Sequence, residues 1–240
     1  MTIFRHTVLG ICMAVITPAA IAQTIQVNRE NRTIAITATD KVSVLADTAT
    51  VHIGFIVYGP DSDWAYATGS RLSNAIMKTL IDAEIPAEAI QSEAQNISPV
   101  PDFQIERLTP AERGQRRFQV TQSWTVRTAA DDAAKVLDLA VKAGANQSGQ
   151  IEWSFKDEHA PEAEAAAKAM KSARAQAGQM ATSLNAKLGA LLFASNQTQT
   201  ELIRPMAGRM MTMDQGAQPL AISPRQIEKS ATVYAVFAIE

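Results

Sequence analysis

The chain has 240 residues, of which 47% are hydrophobic but only 5% aromatic, and its formal net charge at pH 7 is −2. This near-neutral balance provides no electrostatic footprint for nucleic acid and no polybasic anchor for a membrane surface. Alanine supplies much of the apolar share, which favours closely packed helices over an aromatic ligand cleft. A chain of this length can bury a sizeable core without disulfide bonds.

The first 22 residues have the pattern of a secretory signal. Arg5 is the one charged residue before a weakly polar to apolar run over residues 7–16, Pro18 breaks that run, and residues 20–22 have the sequence Ala-Ile-Ala. A charged start, a short apolar run and small residues at the cleavage site define signals that are removed after export. The run is too short to cross a bilayer as a stable helix.

We therefore expect cleavage after Ala22 and a mature domain over residues 23–240. The domain is expected in the periplasm, either free or associated with the outer membrane. Cys12 lies inside the apolar run of the signal and is the single cysteine of the chain. The mature protein is then expected to contain no disulfide, no thiolate metal site and no cysteine nucleophile. No run after the signal is long enough to predict a membrane helix.

Apolar periodicity and turn residues predict the secondary structure. In the first half the predicted elements are a strand at 33–38, a turn at Asp40 and Lys41, a strand at 48–58, a helix at 64–83 capped by Asp61 or Asp63, a strand at 90–100 and a long hairpin loop at 102–115. In the second half they are a strand at 116–128, a helix from Asp131 to Gly144, a strand around 151–155, a long helix at 161–186, a strand at 188–195, a polar loop at 196–228 and a final strand at 229–240.

The long helix is rich in alanine. Its small and apolar residues recur at alternating steps of three and four, which predicts a heptad-like seam. The members of this seam are Ala163, Ala166, Met170, Ala173, Ala177, Met180 and Leu184. Small residues on the seam would allow close approach either to the protein's own sheet or to another subunit.

These elements predict an α+β fold of antiparallel sheets, each covered by helices, with one long Ala-rich helix. A helix is followed by a strand in both halves, at 72–97 and at 136–155. This order predicts two merged β-α-β halves and suggests a weak internal duplication.

Five passages in register along the chain are similar to passages of one known family. They are residues 34–47 (IAITATDKVSVLAD), residues 81–92, Ile97-Ser98-Pro99, residues 141–146 (VKAGAN) and the alanine-rich stretch 169–189. Together they resemble the SIMPL-domain proteins, also called DUF541. The resemblance implies an α+β domain exported to the periplasm or envelope of a bacterium. It also implies a loose link to envelope and oxidative-stress physiology, with no agreed active site.

Histidines offer little predicted chemistry. His52 falls on the polar side of its strand and is expected to face solvent. His159 lies among Asp157, Glu158, Glu162 and Glu164, where a divalent metal could bind. A single histidine is a poor site, however, and acidic side chains are favourable at a helix N-terminus. The charged helix start is the preferred interpretation.

A methionine cluster is the one unusual chemical feature. Met206, Met210, Met211 and Met213 lie in a polar, predicted flexible segment at about 198–228. Thioethers are soft ligands suited to Cu(I), and they are also adaptable contact residues. A contact loop is the preferred interpretation, and copper binding is the alternative.

The chain contains no G-x-S-x-G elbow, phosphate loop or dinucleotide fingerprint. Arg113, Arg116 and Arg117 form the densest basic cluster and are expected at a solvated hairpin tip. We expect a non-enzymatic envelope protein of the SIMPL type that forms a homo-oligomer and needs no cofactor. A periplasmic module that binds a small ligand or copper is the alternative hypothesis.

Overall fold

The computed structural model describes residues 32–197 and 220–240. The strands are β1 (Thr33–Leu45), β2 (Thr48–Gly59), β3 (Ile90–Pro99), β4 (Phe118–Ala129), β5 (Gln147–Ser148), β6 (Glu152–Ser154), β7 (Leu188–Gln197) and β8 (Gln226–Ile239). The α-helices are α1 (Ser62–Asp82), α2 (Asp102–Ile105), α3 (Pro110–Gln115), α4 (Ala133–Lys142) and α5 (His159–Ser183).

The larger sheet has the strand order β3-β4-β2-β5, and β6 also pairs with β2. All of its pairings are antiparallel. Apolar side chains alternate along β2 and β4, so one face of the sheet is buried beneath α1 and α4. Asp61 starts α1 by accepting a hydrogen bond from the Trp64 backbone N–H at 2.8 Å, as a helix N-cap does.

The smaller sheet has the order β1-β8-β7 and combines the first described strand with the last two. β1 pairs with β8 over its whole length, from Thr33 opposite Ala238 to Leu45 opposite Gln226. One face of this sheet is covered by α5. The class predicted from the sequence, α+β with antiparallel sheets covered by helices, is confirmed. The helix–strand units at 72–97 and 136–155 both belong to the larger sheet.

Helix α5 buries a strict four-residue ladder. The ladder comprises Ala165, Ala169, Ala173, Ala177 and Ala181, each at most 1% exposed. Residues spaced by four form one ridge of a helix, and methyl side chains let that ridge lie close to β1 and β8. Of the predicted heptad-like seam, Ala173 and Ala177 are buried and Ala166 and Met170 pack partly buried against the same core, whereas the prediction is wrong at Ala163, Met180 and Leu184. Met180 and Leu184 of that seam are exposed, because continuing the ridge selects Ala181 instead.

The turn predicted at Asp40 and Lys41 is also wrong, because β1 continues through both residues. β1 is an outer strand, where charged side chains are tolerated. Asp40 accepts a hydrogen bond from the Ser172 hydroxyl of α5 at 2.9 Å, and Lys41 pairs with Glu228 of β8. The Lys41 backbone N–H, followed by the Ser172 hydroxyl, lowers the pKa of Asp40 below its ordinary value.

The segment predicted as a hairpin loop does connect two antiparallel strands, β3 and β4, but it contains the helices α2 and α3. Thr109 and Glu112 form a capping box at the start of α3, with Pro110 at its first position. The reciprocal bonds of such a box satisfy the backbone groups that the start of a helix leaves open.

Two further boundaries differ from the prediction. Asp131 lies in a short 3-10 turn before α4 and makes no side-chain cap, whereas Gly144 ends the helix region with φ +111°. A side chain at Gly144 would also contact Leu72 of α1. β8 begins at Gln226, inside the segment predicted as a loop.

No helix within 32–197 and 220–240 combines the length and the apolar character needed to cross a membrane.

Candidate functional site

Asp47 connects the two sheets in the short segment between β1 and β2. Its carboxylate accepts hydrogen bonds from the Thr48 hydroxyl at 2.8 Å and from the Lys156 backbone N–H at 2.7 Å. Its carbonyl accepts the Ala130 N–H at 2.9 Å. The Thr48 hydroxyl and then the Lys156 N–H lower the pKa of Asp47, because both stabilise the charged carboxylate. Specific hydrogen bonds of Asp47 therefore hold the connection between the two sheets.

His52 bridges two carboxylates on the face of the larger sheet opposite α1 and α4. Its Nδ1 lies 3.2 Å from Glu93 Oε1, and its Nε2 lies 3.3 Å from Glu152 Oε1. Glu93 sits at a register irregularity in β3, between Ser92 and Ala94. His52 is on the predicted polar side, but its side chain is only 25% exposed.

This arrangement joins three strands but offers no metal cradle. Each carboxylate meets a different ring nitrogen, so the three side chains do not converge on one point. Both nitrogens donate only when the imidazole is protonated. Within the described ranges, no group of three or more histidine, cysteine or acidic residues is placed to hold a metal ion.

A shallow groove of about 540 Å³ lies where β6 leads into α5. Its lining residues are Thr50, Arg127, Ser154, Phe155, Lys156, Asp157, Glu158 and His159. Glu158 accepts the Phe155 N–H at 2.9 Å, and Asp157 accepts the His159 N–H at 3.0 Å. The two acidic side chains thus accept hydrogen bonds from local backbone N–H groups before and at the start of α5.

The His159 side chain is almost fully exposed. Its Nδ1 lies 3.7 Å from Glu162, which also pairs with Lys229. Glu158 pairs with the same lysine at 3.3 Å. These contacts fasten the start of α5 to β8.

Two of the three clustered arginines contact other parts of the chain, one within its own loop and one on β2. Arg113 donates to the carbonyls of Leu108 at 2.9 Å and Glu106 at 3.1 Å. The Arg116 guanidinium lies 5.4 Å from the centre of the Tyr58 ring, in cation–π geometry. The methionine cluster (Met206, Met210, Met211 and Met213) and the predicted signal lie outside the described residues.

The β7 strand presents the most unusual surface. Its sequence, Leu-Gly-Ala-Leu-Leu-Phe-Ala-Ser-Asn-Gln, contains no charged residue and no proline. It is an outer strand of the smaller sheet, and Leu192 and Phe193 are 57% and 43% exposed. Exposed large apolar side chains continue at the end of α5, which contacts β7. We call this surface the apolar edge; it comprises Met180, Leu184, Leu191, Leu192 and Phe193.

A family model described as SIMPL, a protein of unknown function (DUF541), matches residues 34–237. The chain belongs to the SIMPL family. The match begins in β1 and ends in β8, so the family region of this SIMPL protein includes both sheets and the strand with the apolar edge. No curated protein matches the chain.

Sequence reasoning missed two features of this SIMPL protein. The uncharged stretch at 188–197 was visible in the sequence, but its position at the edge of a sheet was not. Glu93 and Glu152 flank His52 from distant parts of the chain, so no local spacing indicates the contact.

Proposed function

We propose that this SIMPL protein is an exported, non-enzymatic protein of the cell envelope that works as a homo-oligomer. The observation that carries the proposal is the apolar edge, since soluble proteins seldom leave an uncharged outer strand and neighbouring apolar side chains open to water. A second subunit would cover this surface.

The surface used for assembly differs from the one suggested by the alanine pattern. The alanine ladder of α5 is buried against the protein's own sheet. It is therefore occupied within one subunit. Contacts between subunits must use side chains that one subunit leaves exposed, and Leu192 and Phe193 meet that condition.

Export and the absence of catalysis belong to the same proposal. The signal pattern at residues 1–22 supports a periplasmic location, with the mature chain beginning at Gln23. The polar groups nearest to a site, around His52 and at the start of α5, are engaged with one another or with the backbone. This supports a role in binding and assembly rather than in chemistry. The proposed link to envelope or oxidative stress rests on the family resemblance alone.

The test is the native mass of the purified protein by light scattering after size exclusion, over a concentration series. We expect a defined multimer whose population rises with concentration. A monomer at every concentration would contradict self-association. Mass spectrometry of the protein recovered from the periplasm should give an N-terminus at Gln23; an uncleaved chain retained in the cytoplasm would contradict export.

A further inference from the structure

We infer that two copies of the chain pair through β7 in antiparallel orientation, joining their smaller sheets into one continuous sheet around a two-fold axis. The inference rests on the proposed self-association and names its interface. In this arrangement the apolar edge of one copy is covered by the apolar edge of the second copy.

The backbone geometry of β7 supports strand pairing. One side of the strand bonds to β8, and its other side has no strand partner within the described residues. Register irregularities distort the part between Leu188 and Phe193, but Phe193–Gln197 pairs regularly with β8 opposite Val236–Thr232. A regular outer strand presents a row of backbone donors and acceptors that another strand can use.

Charge distinguishes β7 from the other long outer strands. β1, at the opposite edge of the same sheet, includes Asp40 and Lys41, and β3 of the larger sheet includes Glu93 and Pro99. Charges, proline and β-bulges are devices that keep outer strands from pairing with other chains. β7 has no charge and no proline, and its register irregularities lie before Phe193, so two copies could pair over Phe193–Gln197 without opposing like charges.

A two-fold contact also suits the side chains. In such a contact the same patch serves both subunits, so the apolar edge of one copy would be covered by the apolar edge of the other. Phe193 lies on the sheet face away from α5, where its ring stands 6.2 Å from that of Tyr234 in edge-to-face geometry. Leu192 and Leu184 are also available to be covered. Their burial adds apolar area that strand hydrogen bonds alone would lack.

The first test places a charge on the edge. Leu192→Lys places a charge on the apolar edge that the contact between the two copies would bury, where an unpaired charge is costly. We expect the dissociation constant of the multimer to rise at least tenfold, measured by light scattering. The matched control is Thr37→Lys, an exposed residue on the opposite outer strand of the same sheet, which should keep the wild-type mass. Circular dichroism of both variants confirms folding.

The second test measures proximity in the intact multimer. A spin label attached through Ser195→Cys on β7 should give a shorter distance between subunits than a label attached through Ser43→Cys on β1. The chain is suited to this, because its single native cysteine is Cys12 in the predicted signal.

The outcomes separate this inference from the proposed function. A multimer that survives Leu192→Lys and brings the Ser43 labels closer together would overturn pairing through β7 and leave self-association standing. A wild-type protein that is monomeric at every concentration would overturn both.

Discussion

The two sheets of the molecule pack against their covering helices through side chains of different size. The larger sheet is covered by two helices, α1 and α4, over a core that contains Phe55, Trp124 and Leu80. Within residues 32–197 and 220–240, the smaller sheet is covered by one helix, α5, through an alanine ladder that meets Ile34, Ile36 and Phe237. Large side chains fill a wide interlayer space, whereas methyl groups require the helix to lie close to the strands.

The comparison shows that stability is sensitive to opposite changes in the two layers. Removing volume from the larger core leaves a cavity, and the lost contacts add to the lost hydrophobic transfer energy. Adding volume to the alanine ladder forces the helix away from its sheet. The principal buried clusters of the two sheets are separate, so substitutions can address each layer individually.

The largest effect is expected from Phe55→Ala in the larger core. Phe55 is fully buried, with its ring centre 5.9 Å from that of Trp124. The free energy of unfolding should fall by about 3–5 kcal/mol. Tryptophan fluorescence in a denaturant titration measures this, because Trp64, Trp124 and Trp153 all lie in α1 and in strands of the larger sheet.

Phe103→Ala is the matched control for that change. Phe103 is 73% exposed, so the same truncation should alter the free energy of unfolding by no more than about 0.5 kcal/mol. Equal losses in the free energy of unfolding for Phe55→Ala and Phe103→Ala would contradict the placement of Phe55 in the larger core.

Ala173→Leu should reduce stability by about 1–3 kcal/mol, because the added atoms overpack the ladder. Ala175→Leu, exposed on the same helix, should be nearly neutral. For Ala173→Leu, the unfolding transition followed by far-ultraviolet circular dichroism should shift to lower denaturant concentration. The transition followed by tryptophan fluorescence should shift less, because the tryptophans lie in the larger layer. Identical shifts in both signals would show that the two layers unfold as one unit.

The smallest effect concerns Asp47, which lies between the two layers. Its pKa is lowered in the folded protein, so its hydrogen bonds contribute stability above the pKa of the unfolded chain, and this contribution is lost as the pH falls through the folded value. Asp47→Asn should flatten the fall in melting temperature at acid pH. Thr48→Val removes only the hydroxyl donor and should be intermediate. An unchanged acid profile in Asp47→Asn would contradict this role.

Much of the fold could be predicted because its signals are local. The alternation in β4 and the capped apolar pattern of α1 predict those elements, with bounds that agree within about two residues. The capping box at Thr109 and Glu112 is also a local signal and could have revealed α3.

The rest depends on contacts that the local sequence does not contain. Strand order decides that charges within β1 lie on an edge rather than in a turn, and that the uncharged β7 lies on another edge. The heptad-like pattern in α5 includes Met180 and Leu184 because its steps alternate between three and four, but the buried ridge keeps a step of four and so selects Ala181. In the apolar edge, the sequence shows that the residues are uncharged and apolar, but it does not show that they are exposed to solvent.

The pairing of β1 with β8 has a consequence for synthesis and folding. Thr33 of β1 pairs with Ala238 of β8, so β1 cannot complete its pairing until nearly the last residues of the chain have been synthesised. The hairpin of β3 and β4 needs only nearby residues and can form much earlier. We therefore expect the larger sheet to fold first as the chain emerges. Closure of the smaller sheet would be the late, slow step, because it brings the two ends of the domain together.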